Sequence, residues 1–468
     1  MPKEIRLNAF TMNTVGHISP GLWTHPRDRS HLYTDLQHWA DLAKTLERGR
    51  FDALFIADVI GIYDVYHGDR TYPIRHATQV PVNDPLLIVP AMALVTEHLS
   101  FGVTSSVSYE HPYTFARRFS TLDHLTKGRV AWNVVTSYLD SGARATGQQA
   151  LAAHDERYDL AEDYLEVCYK LWEGSWEDGA VKRDKATGVF TDPARVHDIR
   201  HRGPIFQVDG VHLSEPSPQR TPVIFQAGAS TRGRRFAARH AEAIFVGGPS
   251  KHVLKTYVDA LRASAVEQGR RADDLVIYNM HTVIVGETDA EAREKYAEYR
   301  SYISHEGALA LISGWSGIDF GKYRLDEPLR YVQTNAGQSF VEAFSSSDPA
   351  REWTVRELAE WVGIGGRGPI TVGSARTVAD DLEAWVAETG VDGFNLGSVV
   401  MPETFEQIAD LLVPELQRRG LFKKDYAPGT LRNKLFGRGD AIAAGHPAHA
   451  ARDAVRETAA LARPANAA

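Results

Sequence analysis

Residues Thr114–Tyr138, TFARRFSTLDHLTKGRVAWNVVTSY, read as one unit of an α/β repeat. Phe119, Leu122 and Leu125 recur at helical spacing, with Arg118, Asp123 and Lys127 on other faces. Gly128 stops that helix. The run that follows, Val130–Val135, is short, apolar and rich in β-branched residues, as a strand buried on both faces should be. It ends in Thr136, Ser137 and Tyr138. Parallel barrels collect their chemistry at the C-terminal ends of strands, so Asn133–Tyr138 are expected to point into a site. The plainer reading, Thr136 and Ser137 as caps of the next turn, carries less weight because the same grammar repeats along the chain.

On the N-terminal side lie strands at Ile5–Phe10, Ala53–Ala57 (ending in Asp58) and Leu99–Thr104. Their helices are Asp35–Arg48 and Pro85–His98. On the C-terminal side a helix runs from His154 to Trp172. Strands follow at Val223–Ala227, Ala243–Val246, Leu275–Val285 and Gly393–Leu396, with helices between them and a last one at Thr404–Arg419. Residues 173–220 break the rhythm and read as loops and short hairpins. Residues 306–371 read as a second irregular insertion, with a helix at Val355–Trp361. Eight strand-and-helix units predict an α/β fold, a (β/α)8 TIM barrel over residues 1–420 with these two insertions. Residues 421–468 leave the repeat, as an arm on a partner subunit or a disordered tail.

The chain has 468 residues, 43% hydrophobic and 24% charged, enough for a sizeable core without staples. A net charge of −8 argues against a nucleic-acid surface. The single cysteine, Cys168, lies beside Leu165 and Leu171 in an amphipathic helix and reads as a buried inert thiol. No apolar signal region opens the chain and no run approaches the ~18 apolar residues of a membrane span, so a cytoplasmic protein is expected.

Candidate chemistry gathers at the strand ends: Asp58, Thr104, Asn133, Ser137 and the loop Ala227-Gly228-Ala229-Ser230. That loop enters a helix and offers free N–H groups, a hydroxyl and nearby Arg232, a combination suited to a phosphate. Taken alone it is often only a cap; His154 and Tyr158 on a neighbouring turn strengthen it. Taken alone, the run His154-Asp155-Glu156-Arg157-Tyr158 reads as a helix start with Asp155 as N-cap and Arg157 at the surface. No metal-ligand spacing, nucleophile elbow or Rossmann fingerprint is present. Asp58 and Glu110 both follow strands, so a glycoside hydrolase of this fold, with its carboxylates ~5–10 Å apart, stays open at this point.

Seven segments carry a resemblance: LNAFTMNTVGHISPGLWTHP, RGRFDALFIADVIGIYDVY, QVPVNDP, STLDHLTKGRVAWNVVTS, HDERYDLAEDYLEVCYKLWEGSWED, EPSPQRTPVIFQAGAS and VDGFNL. With them the chain resembles the bacterial luciferase-like flavin monooxygenases. Within these it is similar to the group of nitrilotriacetate, dibenzothiophene-sulfone, long-chain alkane and dimethylsulfide enzymes. The resemblance implies a two-component system. A separate NAD(P)H:FMN reductase supplies FMNH2 by diffusion, and this chain uses it with O2. It implies Asp58, Thr104, Ser137, Tyr138, His154, Tyr158, Ala227, Gly228, Ala229 and Ser230 at FMN, with His154, Tyr158 and the loop facing its phosphate. His17, Tyr63, Gln79 and Asn133 match positions near the flavin ring, with His17 and Tyr63 managing the proton. A homodimer or homotetramer is implied too. A deazaflavin-dependent oxidoreductase of the same superfamily is the related alternative. The alkane enzyme has Cys where this chain has Thr14, and His where it has Tyr138 and Leu311. That difference favours a small sulfide over an alkane.

Overall fold

The computed structural model describes residues 3–228, 230–248, 250–329 and 353–462. The strands are β1 (Arg6–Met12), β2 (Ala53–Ala57), β3 (Ser100–Ser106), β4 (Val130–Val135), β5 (Val223–Gln226), β6 (Ala243–Val246), β7 (Val276–Gly286) and β8 (Gly393–Gly397). Each pairs in parallel with the next, and β8 pairs with β1, so the eight close into a (β/α)8 barrel. The register sets Asn8 beside Asn395, and Thr104 beside Asn133.

Side-chain alternation divides the strands between two cores. Leu7, Ala9, Leu54, Ile56, Phe101, Val103, Trp132 and Val134 pack outward in the core they share with the helices. Phe55, Phe225, Phe245 and Tyr278 belong to a separate cluster, with Phe10 packed against it. The Phe55 ring lies 4.4 Å from Phe245 and 5.1 Å from Phe10, and Phe245 is 5.3 Å from Tyr278. This aromatic plug fills the barrel interior, which leaves the C-terminal mouth for a ligand.

Leu431 and Leu435 of the short helix Leu431–Phe436 join the same plug from the opposite end. The helix Pro447–Ala462 packs on the segment after His154–Tyr169: a Cβ on Gly174 would stand 2.7 Å from Val455. Residues 421–462 thus pack on this chain's own barrel, where the sequence left an arm or a disordered tail open. Residues 463–468 lie outside the described residues.

Two elements differ from the sequence reading. The helix expected at Pro85–His98 is a 3-10 turn, Pro85–Leu87, followed by a short helix, Val89–Leu94. Pro90 has no N–H to give the carbonyl of Leu86, so no continuous helix crosses it. The second insertion is largely ordered where described. It holds a twelve-residue helix, His305–Ser316, before the expected one at Val355–Val362. The first insertion forms two hairpins, Val181–Asp184 with Val189–Thr191 and Ile199–Arg202 with Gln207–Gly210. Among the described residues no helix is long and apolar enough to cross a membrane.

Candidate active site

The helix His305–Ser316 is buried along nearly its whole length and roofs the mouth. Its Leu311, Ile312 and Trp315 join Met12, Ile18, Val59, Tyr63, Tyr66 and Phe320 in a third apolar cluster. Tyr63 enters this roof where the helix carries Gly314, at which a Cβ would stand 1.7 Å from Tyr63 Cδ1. Any larger residue there displaces the Tyr63 ring.

Tyr63 sits in a directed chain of hydrogen bonds. Gln79 Nε2 donates to the carbonyl of His17 at 2.8 Å, which turns the amide so that Oε1 faces Tyr63. The Tyr63 hydroxyl donates to that oxygen at 2.7 Å. Its oxygen stands 2.5 Å from the Tyr138 hydroxyl. Tyr63 has one proton and has given it to Gln79, so Tyr138 is the donor in the pair. Burial pushes both phenols above their usual range. The Arg367 guanidinium, 4.3 Å over the Trp315 ring, opposes that push on each. Gln79 and Ala77 hold left-handed backbone at φ 50° and 51°, the kind of local cost that persists at functional sites.

The His17 ring packs edge-on against Phe10 at 4.5 Å, and its Nδ1 is buried with no partner. Burial lowers its pKa to about 3, so the imidazole is neutral at any ordinary working pH. His17 can therefore give or take a hydrogen bond here, but it brings no positive charge. Asn133 Nδ2 donates to Thr104 Oγ1 at 2.9 Å, which leaves its buried Oδ1 unpartnered inside the barrel.

A second group forms where β5 meets its helix. Ser230 caps the helix Thr231–His240, its Oγ accepting from Gly233 N at 3.0 Å. His154 Nε2 lies 3.2 Å from the same Oγ, and Tyr158 also reaches it. Arg232 stands 5.8 Å over the Tyr158 ring. At Gly233 a Cβ would meet the Tyr158 hydroxyl at 2.5 Å, so the helix start and this phenol approach too closely for any side chain. Ala227 and Gly228 lead into the cap; Ala229 lies outside the described residues. The run at 154–158 departs from its plain reading. Ala153 is the N-cap, Asp155 takes the His154 ring N–H side, and Arg157 is buried.

Asp58 ends β2, partly buried, and burial raises its carboxyl to about 7, with Asp84 adding like charge. The folded state therefore keeps this proton at pH values where the unfolded chain has lost it. Its contribution to stability is complete below about pH 4 and falls as pH rises through 7. Asp58→Asn stays neutral, so its melting temperature is expected to gain on the wild type between pH 5 and 8. Below pH 4 the difference should close. A difference that does not change with pH would count against the buried carboxyl.

Two other acidic sites draw on different partners. Glu110 forms an ion pair with Arg118, so the pairing of Glu110 with Asp58 draws no support. Asp163, Glu166 and His201 converge as metal ligands would, yet their atoms are committed. Asp163 Oδ2 accepts from the Ile205 and Phe206 N–H groups, and Lys170 Nζ stands against both Glu166 and His201 Nδ1. The cluster ties down the second hairpin.

Comparison with known proteins identifies what this arrangement belongs to. The family description "Luciferase-like monooxygenase" matches residues 16–393. The chain belongs to the luciferase-like monooxygenase family. It is a flavin-dependent monooxygenase, and the family chemistry uses reduced flavin and O2. The dimethyl-sulfide monooxygenase of Hyphomicrobium sulfonivorans is 52% identical over 97% of this chain and 95% of its own length. The long-chain alkane monooxygenase of Geobacillus thermodenitrificans is 51% identical over 94% and 96%. Among solved structures, DmoA from Hyphomicrobium sulfonivorans superposes with a TM-score of 0.91 at 50% identity, covering 99% of this chain and 100% of that one.

Of the expected site residues, the structure joins His17, Tyr63, Gln79 and Tyr138 in one chain of contacts. It joins Thr104 with Asn133, and His154 and Tyr158 with Ser230. Tyr138, expected at the cofactor, has its hydroxyl on Tyr63. Trp315, Arg367 and Arg157 stand at these groups and were not expected.

Proposed function

We propose that this chain is the oxygenase of a two-component system. It takes FMNH2 from a separate NAD(P)H:FMN reductase by diffusion and oxygenates a small apolar substrate. A dialkyl sulfide such as dimethylsulfide is favoured, with a long-chain alkane next. The observation that carries the reading is the directed chain Tyr138–Tyr63–Gln79–His17 beneath an apolar roof. Such a pocket combines a proton source with exclusion of water.

The residues present fit FMN. His17 Nδ1 and Asn133 Oδ1 are buried polar atoms without partners, suited to the polar edge of a flavin ring. The cap at Ser230, with His154 and Tyr158, offers a helix N-terminus, a hydroxyl and a phenol to a phosphate. Bound reduced flavin supplies the two electrons that activate O2; one oxygen enters the substrate and the other leaves as water. The chain's part is to hold the ring, keep water out and deliver a proton through Tyr63 and Tyr138. The less basic set Thr14, Tyr138 and Leu311, in place of Cys, His and His in the alkane enzyme, supports the sulfide.

The test is anaerobic mixing with FMNH2, then rapid exposure to O2 while absorbance is recorded. A flavin species that outlives free reduced flavin in air, and that a dialkyl sulfide consumes in step with oxygenated product, is expected. Immediate reoxidation with stoichiometric H2O2 in the presence of every sulfide and alkane tried would overturn the reading. So would preference for a deazaflavin over FMN.

A further inference from the structure

Ser137 follows β4 in a left-handed conformation, φ 60°, which a non-glycine residue adopts only when its surroundings hold it there. Two contacts hold it. Its Oγ lies 2.7 Å from Ser106 Oγ at the end of β3. Its carbonyl accepts from Arg157 Nη1 at 2.5 Å. Arg157 is 5% exposed, one residue before Tyr158 on the helix whose start faces Ser230. The guanidinium thus links the end of β4 to the helix that carries His154 and Tyr158. A buried cation that reaches a strained backbone carbonyl across two elements does more than fill space. Its planar fork fixes both the direction and the distance of the atom it binds.

We propose that Arg157 is a positioning residue for the flavin: by holding the Ser137 carbonyl it keeps Ser137 in its left-handed conformation, with its hydroxyl at the site. The proposal rests on the reading that Ser137, Tyr158 and Ser230 surround FMN. Arg157 acts through Ser137. Its loss lets residue 137 relax toward ordinary backbone and withdraws the hydroxyl from the ligand. Glycine at 137 takes left-handed backbone at little cost and has no hydroxyl to place, so with glycine there Arg157 has nothing left to position.

Dissociation constants of FMN and riboflavin, read by quenching of flavin fluorescence, are measured for wild type, R157M, S137G and R157M/S137G. R157M is expected to weaken FMN at least tenfold in the wild type and less than threefold in the S137G background. An equal penalty in both backgrounds, or a penalty under threefold in the wild type, overturns the proposal. R157K keeps the cation, and it is expected to recover most of the lost affinity if the carbonyl contact is what matters. Loss as complete as in R157M would also count against it. Should R157M fail to fold, R157Q, uncharged and too short to reach the carbonyl, carries the same cycle, with the penalty again expected only where residue 137 is serine. A Y158F/S230A variant reports on the underlying reading: it should weaken FMN much more than riboflavin. Equal loss of the two ligands there refutes the phosphate assignment whatever the Arg157 cycle shows.

Discussion

Tyr63→Phe is expected to lower product formation about 10²-fold while O2 consumption continues as H2O2, the low end of what a positioned proton donor contributes. The direction of the hydrogen bonds sets this loss. Gln79 is oriented by the His17 carbonyl, so Tyr63 must donate to it and Tyr138 must donate to Tyr63. Removing one oxygen atom breaks this chain at its middle. Gln79 Oε1 loses its donor in a buried setting, where an unmet polar group costs about 1–3 kcal/mol, and the half-buried Tyr138 loses its acceptor. The ring of phenylalanine still fills the notch opposite Gly314, so the roof stays closed. Flavin affinity should therefore stay within about threefold, because the groups around Ser230 are untouched. Product and H2O2 measured together against O2 consumed decide the matter. Unchanged coupling would remove Tyr63 from the proton path. Arg367 belongs to the same argument, since its charge favours the ionised form of each phenol and so makes the pair a better donor. His17 does not supply the charge, because burial keeps it neutral.

How far this site could be read from the sequence depended on where each residue sits. The strands were legible because an apolar run ending in polar residues states both a buried strand and its functional end: Val130–Val135 before Ser137, Ala53–Ala57 before Asp58. Ser230 was legible because a Gly-rich loop entering a helix is local chemistry. Tyr63 and Gln79 lie in a long loop without periodicity, and only the family resemblance singled them out. The roof helix escaped for a physical reason. It is buried all round, so its apolar residues show no one-sided stripe, and Gly307 and Gly314 lower its helical propensity. Arg367 comes from a Gly-rich loop, GIGGRG, where nothing local marks a residue bound for the mouth. Arg157 reads as a surface charge in a run of charges, and only the packing of helix against β4 shows it buried. Local pattern encodes the scaffold; pockets that depend on contacts between distant segments do not announce themselves in it.

The same distinction sets the largest expected loss of stability, which falls at the far end of the barrel. Arg432→Met should destabilise the fold by roughly 3–5 kcal/mol, the usual result of removing one partner of a buried ion pair. Arg432 and Glu242 side chains are 3% and 6% exposed. Nε and Nη2 bind the two Glu242 oxygens at 2.7 and 2.9 Å. The remaining N–H groups reach the carbonyls of Gln219, Asp440 and Thr221 at 3.2, 2.9 and 2.9 Å. All five donors of the guanidinium are used, which offsets much of the cost of burying the charge. Methionine replaces the aliphatic stem of the side chain and makes none of the guanidinium's bonds. It leaves Glu242 charged and unpaired beneath β5, where its Oε2 also accepts from Ile224 N at 3.2 Å. The damage should be specific to the lone charge. Arg432→Met combined with Glu242→Leu is expected to melt higher than Arg432→Met alone, since replacing both partners by apolar groups removes the uncompensated carboxylate. Thermal unfolding of the two variants at neutral pH tests this. A double variant no more stable than the single one would mean that the lost carbonyl contacts, and not the stranded charge, dominate. In either case the helix Leu431–Phe436 acts as a closure of the barrel floor, so residues beyond 420 are part of what holds β5 and β6 in place for the loops that face the ligand.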